Sequence, residues 1–238
     1  MDSPEEIPLT GGQVTHGIVR IGATVRRPQK GNSPFVHELL LFLERQGFHE
    51  APKFLGIDEQ GREILSYIAG HTLPGSGYKL PDELLVRTAG LIRRLHDLTV
   101  GSALVQGHEI VAHHELGPHN TIFQGNQPVG IIDWDDAAPG TRLRDFANAV
   151  WCYADVGNRS WSAQEQARRI QLMCDTYGWD DPTAIVNDIE ADIQQALRNH
   201  EQAGREGAIR VFREEVSRMR VCAEELRGVF GHRNSGAI

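Results

Sequence analysis

His113-His114-Glu115-Leu116-Gly117-Pro118-His119-Asn120, followed by Ile131-Ile132-Asp133-Trp134-Asp135, is the stretch on which the reading of this chain turns. Glu115 and Asn120 stand five residues apart, and Gly117-Pro118 between them keeps the segment from being helical. Asp133 follows an apolar, β-prone run, where the backbone can aim a carboxylate into a cleft. Glu115, Asn120 and Asp133 carry oxygen-bearing side chains of the kind that hold a hard divalent cation.

The segments before this stretch predict a small β-rich unit. Ile18–Ile21 and Thr24–Arg27 are β-prone runs joined by Gly22-Ala23, which suits a tight turn with glycine at its first central position. Ser33 is the expected N-cap and Pro34 the first helical residue of a helix that Gly47 closes. A second hairpin runs from Phe54–Ile57 through Glu59-Gln60-Gly61 to Glu63–Ile68. The order is β-β-α-β-β, and Ala69-Gly70 is the expected hinge to a helical remainder. That remainder holds Pro81–Leu98, a short hairpin over Thr121–Ile132, Phe146–Tyr153, a helix opened by the capping box at Ser162, one opened at Asp181-Pro182, and a last one through Phe230. Gly231–Ile238 is expected to fray.

Composition narrows the function. The chain has 238 residues, is 40% hydrophobic and 24% charged, and carries a formal net charge of −8. An acidic balance argues against nucleic acid as a partner and is compatible with a cleft that attracts cations. Cys152, Cys174 and Cys222 are scattered with no C-x-x-C pairing, which argues against a disulfide framework and a structural zinc site. The acidic start lacks an apolar targeting region, and no run is long enough to span a membrane, so a cytoplasmic protein is expected. Gly12-x-x-x-x-Gly17 has the glycine spacing of a phosphate-binding loop, but Ile18 stands where lysine is required. His114 and His119 are five apart across Gly117-Pro118, which rejects a helical zinc motif.

Phosphoryl transfer needs a carboxylate to orient a hydroxyl and take its proton, oxygen ligands for Mg²⁺, and a cation on the phosphates. His113-x-Glu115-x-x-x-x-Asn120 and Ile132-Asp133-Trp134-x-x-Ala137-x-x-Gly140 resemble two motifs of the aminoglycoside phosphotransferase and choline kinase superfamily. These are its H-x-D-x-x-x-x-N loop and its I-D-W segment with A-x-x-G. The likeness extends over about residues 10 to 155. It implies an α+β, protein-kinase-like fold of two lobes: a nucleotide-binding lobe over residues 1–69, and a helical lobe over 70–238 with the catalytic loop and substrate site. It implies a kinase that moves the terminal phosphate of ATP or GTP to a hydroxyl of a small polar acceptor, aminoglycoside-like cations included.

Residue by residue, Glu115 falls at the catalytic carboxylate and His113 at the histidine that braces the loop. Asn120 and Asp133 fall at the Mg²⁺ ligands. Backbone groups at Ser66, Tyr67 and Ile68 would meet the nucleotide base. A cation on the second strand would touch phosphate; Arg27 shares a face with Val25 and is the first candidate, Arg26 the second. Arg142 and Asp145 resemble the continuation that anchors the catalytic region to the next helix, and by spacing alone could pair with each other. Glu190 and Asp192 sit where acceptor-binding acids are found in the superfamily, or on an exposed helix face.

This chain departs from the pattern in four places. Glu115 replaces aspartate, and its extra methylene displaces the carboxylate by about one bond length. No lysine stands on the second strand, and arginine is not its equivalent. The helix position that would clamp that cation with glutamate falls at His37 by register, with Glu38 the alternative. No G-x-G-x-x-G cover loop exists; Gly11, Gly12 and Gly17 are the nearest glycines. Asp135 and Asp136 read as solvated or capping residues, Trp134 as packing, and His96 as a satisfied core histidine.

Overall fold

Short β-prone runs joined by tight turns build the first sheet of the protein, a computed structural model that describes residues 5–9 and 17–234. Its strands are β1 (Ile7–Pro8), β2 (Val19–Ile21), β3 (Thr24–Pro28), β4 (Phe54–Ile57) and β5 (Arg62–Ser66). They lie in the order β1-β2-β3-β5-β4, antiparallel throughout. Gly22 turns β2 into β3 with φ +58°, a conformation that side chains with a Cβ rarely adopt. β3 and β5 pair so that Arg27 stands opposite Glu63.

Helix α1 (Ser33–Arg45) interrupts the strands and buries Val36, Leu39, Leu40 and Leu43 at helical spacing. Its N-cap is Asn32, not Ser33 as the sequence suggested. Ser33 lies inside the helix, and its hydroxyl accepts the main-chain N–H of Lys30 at 2.8 Å. At the other end Gly47 has φ +75°. Its N–H donates to Glu44 O and that of Phe48 to Leu43 O, so both terminal carbonyls are satisfied.

The helical remainder comprises α2 (Asp82–Thr99), α3 (Arg142–Tyr153), α4 (Ala163–Tyr177), α5 (Pro182–Gln202) and α6 (Glu206–Asn234). Ser162 and Asp181 cap α4 and α5 by accepting N–H groups of Glu165 and Ala184. Helix α3 starts four residues before the expected Phe146, because Thr141 accepts from Arg144 N and caps it there. Gly231–Asn234, expected to fray, are helical. One apolar core runs from Leu39, Leu40 and Leu43 through Leu85, Ile92, Phe146, Ile170 and Met173 to Leu226. Each fully buried side chain of this size contributes about 1.5–3 kcal/mol. Among the described residues, no helix is long and apolar enough to cross a membrane.

Two small antiparallel sheets sit between these parts. One pairs β6 (Ile110–Ala112) with β9 (Ala138–Gly140); the other pairs β7 (Thr121–Gln124) with β8 (Gln127–Ile131). They fix both ends of the loops 113–120 and 132–137. After β5 the chain passes close to β7. His71 and Phe123 exchange main-chain hydrogen bonds of 3.1 and 2.8 Å. A Cβ on Gly70 would lie 2.5 Å from Phe123 O, so only glycine allows this approach.

Candidate active site

The loop after β6 is held from beneath by one carboxylate. Asp145, fully buried near the start of α3, accepts the N–H of His113 at 3.0 Å and of His114 at 2.7 Å. It also accepts from His96 Nε2 at 2.9 Å, and His96 Nδ1 lies 2.7 Å from the Tyr177 hydroxyl. Burial alone would raise the Asp145 pKa. The His96 contact and the loop N–H groups outweigh it and hold the carboxyl below its ordinary range. Arg142 does not pair with Asp145, contrary to the helical-spacing reading; it pairs with Asp97 at 2.7 Å and Glu109 at 3.3 Å.

His113 links the two loops. Its ring is fully buried and sits edge-on to Trp134 with centroids 4.7 Å apart. Nδ1 accepts from Glu115 N at 3.3 Å, so the ring proton belongs on Nε2, which donates to Ile132 O at 3.1 Å. Burial lowers its pKa to about 4, with Asp145 opposing. Both ring nitrogens are engaged with main chain, so the ring positions the loops and does not face the open side.

Asn120 ends a 3-10 turn that begins at Pro118. Its amide donates to Glu115 O at 3.0 Å, closing the loop on itself, and its main-chain O accepts Ile132 N at 2.9 Å. Asp133 follows with φ +62°, a left-handed conformation that costs energy in a non-glycine residue and is found at functional sites. The carboxyls of Glu115 and Asp133 both titrate above their ordinary range. For Glu115 the causes are burial, then the charges of Asp133 and Asp136. For Asp133 they are burial, then Asp135, with Arg27 and Lys30 opposing. This crowding of like charge is what a divalent cation relieves, and the donors are hard oxygens. Among the described residues no group of three or more His, Cys, Asp or Glu is placed to hold a metal. Mg²⁺ takes one or two carboxylates and completes its shell with phosphate and water.

The facing wall comes from the five-stranded sheet. Arg27 is buried, with Nε 2.8 Å from Glu63 Oε1 and Nη1 3.7 Å from Asp133 Oδ1; Nη2 bonds Asp135. Glu63 is held in turn by His37 Nε2 at 2.6 Å, and the His37 ring stacks on Phe54. The clamp sought on α1 is therefore supplied by β5. Arg26 points elsewhere, to Thr24 and to Asp58 at 3.7 Å. Asp135 is not solvated: it pairs with Arg27 and with Lys30, two residues beyond β3. Burial opposes its ionisation, but the Lys30 bond and the Arg27 charge prevail and hold its pKa down.

Other expected residues fall as follows. Ser66 N donates to Lys53 O and Tyr67 N to Ala23 O, both at 2.9 Å, so these two N–H groups serve the sheet; Ile68 lies beyond its end. Trp134 is packed, its indole N–H bonded to Ile131 O. Asp192 pairs with Arg144 at 2.8 Å and Glu190 with Arg227, so neither is an unpaired acid on an open face. Gly11 and Gly12 lie outside the described residues. His119, set aside as a zinc ligand, packs against glycines. Its ring lies between Gly75 and Gly117, where a Cβ would come within 2.9 and 2.6 Å of it. Glu63 had a legible signal: a glutamate in phase with buried Leu65 on β5.

Residues 99–185 match the model of a phosphotransferase enzyme family. The chain is 34% identical over 197 residues to the trifolitoxin immunity protein of Rhizobium leguminosarum bv. trifolii, covering 73% of this chain and 74% of that one. Among solved structures it resembles the gentamicin complex of APH(2″)-IIa at TM-score 0.62 and 16% identity, covering 93% of each chain. It also resembles spectinomycin phosphotransferase bound to ADP and spectinomycin, at TM-score 0.62 and 14% identity with 93% of each covered. A GDP and kanamycin complex of an APH(2″) enzyme gives TM-score 0.63 at 13% identity, covering 92% of this chain and 94% of that one.

Proposed function

The chain belongs to the phosphotransferase enzyme family, and we propose on that premise that it transfers the terminal phosphate of ATP or GTP to a hydroxyl of a small polar acceptor. The observation that carries this reading is the placing of Glu115, Asn120 and the left-handed Asp133 on two loops, the first braced by Asp145 and joined to the second through His113 and Ile132 O. In this reading residues 1–69 form the nucleotide lobe and residues 70–238 the lobe carrying the acceptor site, with main chain at Ser66–Ile68 beside the base. The acidic surround of Glu115, Asp133 and Asp136 favours a cationic acceptor.

The division of labour follows from the geometry. Asn120 and Asp133 would hold Mg²⁺, which when bound draws the phosphate oxygens together and offsets their charge. Arg27, fixed by Glu63, faces the phosphates as a cation with few rotamers left to lose. The Glu115 carboxylate orients the acceptor hydroxyl and takes its proton as the acceptor oxygen bonds to phosphorus and the bond from phosphorus to the nucleotide's bridging oxygen breaks. A carboxyl raised toward neutral pH is a better proton acceptor than an ordinary one. His113 and Asp145 hold these groups in register without touching substrate.

A second reading is favoured by two observations. Glu115 is longer than the usual aspartate, and both cations facing Asp133 are already paired within the protein. The same site would then bind a nucleotide or a small molecule without transfer, in the way an immunity protein could shield its host from a toxin. The discriminating experiment is turnover of ATP and GTP with aminoglycosides, choline-like amines and sugars. The kinase reading expects turnover above that of Asp133→Ala, and an increase of about tenfold or more in Glu115→Asp, because about 1 Å of misplacement costs about a hundredfold. Tight nucleotide binding with no turnover in either protein would replace it with the second reading.

A further inference from the structure

Two cations from one side of the site close on a single carboxylate from the other. Arg27 sits on β3 and Lys30 just after it; both bond Asp135, more than a hundred residues later and two residues past Asp133. The Asp135 side chain is 14% exposed, while that of Lys30 is 38% exposed. Arg27 reaches Asp133 as well, at 3.7 Å. An oxyanion held between a guanidinium and an ammonium, beside a metal-ligand position, is the arrangement in which a phosphate group is bound.

Charge shows why this matters. Glu63 and Asp135 balance Arg27 and Lys30, and Asp133 adds a further negative charge. An arriving polyphosphate meets no net attraction there until one carboxylate leaves. Glu63 cannot leave: it is buried at 3% exposure, between Arg27 and His37. Asp135 is the more accessible of the two, its side chain 14% exposed against 4% for that of Glu63. Its main chain is held separately by the Asn32 amide, which donates to Asp135 O and Ala137 O at 2.9 Å each. The loop thus keeps its place while the carboxylate swings out.

We infer that Asp135 is an internal stand-in for phosphate, occupying an oxyanion site formed by Arg27 and Lys30, and that a polyphosphate must displace it to bind. This deepens the proposed function by assigning Lys30 to the phosphate site and giving that site an occupied resting state. It rests on that reading for its setting, but its test does not depend on turnover.

The test is calorimetric titration of inorganic tripolyphosphate, without and with Mg²⁺, into the full chain and its Asp135→Asn, Lys30→Met and doubly substituted forms. Circular dichroism and thermal unfolding verify that each is folded. Removing an internal competitor raises apparent affinity by the reciprocal of the open fraction, so Asp135→Asn should bind about tenfold or more tightly without Mg²⁺. Lys30→Met in that background should abolish the gain. Equal or weaker Mg²⁺-free binding by Asp135→Asn overturns the inference. A loss seen only with Mg²⁺ would make Asp135 a metal ligand and overturns it too. Tighter tripolyphosphate binding by Asp135→Asn with no nucleotide turnover in any form upholds the oxyanion site while removing the kinase reading. Turnover with no gain in Asp135→Asn does the reverse.

Discussion

Asp145 and Asp135 both tie one loop to another element, and they do so in opposite ways. Asp145 is fully buried and accepts two main-chain N–H groups and a histidine. Asp135 is near the surface of the site and accepts from two side-chain cations. Main-chain donors fix where the backbone runs and offer nothing to a ligand. Side-chain cations can change partners when a better anion arrives. The floor of the site is therefore a permanent brace, and the wall opposite is an exchangeable one.

The largest effect should come from breaking the brace. Asp145→Ala leaves His96 and two loop N–H groups buried without their acceptor, which costs about 3–5 kcal/mol. Denaturant unfolding measures it; a loss under about 1 kcal/mol would mean the loop does not need that carboxylate. Acidification probes the same region. His113 titrates at about 4 in the folded protein against 6.5 without the fold, so below about pH 6.5 the unfolded chain binds a proton that the folded one refuses. Stability then falls as pH falls from about 6.5 to about 4, by about 3 kcal/mol from this group. Asp145, held below the ordinary carboxylate range, adds loss in the same direction at lower pH. In His113→Gln the upper part of that pH slope should flatten, as read from unfolding curves across pH.

The opposite wall should respond in ligand binding more than in stability. Glu63→Gln loosens Arg27, and the nucleotide KM should rise about tenfold with kcat less affected. An equal fall in kcat would place Arg27 at the transferred phosphate itself. Arg26→Ala is the smallest change: its partners Thr24 and Asp58 lie away from the site, so nucleotide KM should stay within about twofold. A large effect would reverse the assignment of the two arginines.

The same contrast governs what the sequence could tell. That Arg27 and not Arg26 faces Asp133 is legible because strand alternation is local, and the position of Asp133 because it follows an apolar run. The caps at Ser162 and Asp181 were legible for the same reason. Glu63 was overlooked because the clamp was sought on α1, while cross-strand register depends on the pairing of β3 with β5. The sequence suggests a solvated or capping Asp135, because the cations that pair with it lie more than a hundred residues away. Strands β6 and β9 have three residues each, too few for a period of two to show.

Asn32 carries one more consequence. A residue at a helix start commonly spends its side chain on its own first turn, yet Asn32 makes no such bond and gives both amide protons to the carbonyls of Asp135 and Ala137. The pitch and placement of α1 are thereby set by a distant loop, and the loop by the helix. A carboxylate at position 32 would suit the helix end and repel both carbonyls. Local helix preference and long-range fit pull this one position in contrary directions, and the fold has sided with the latter.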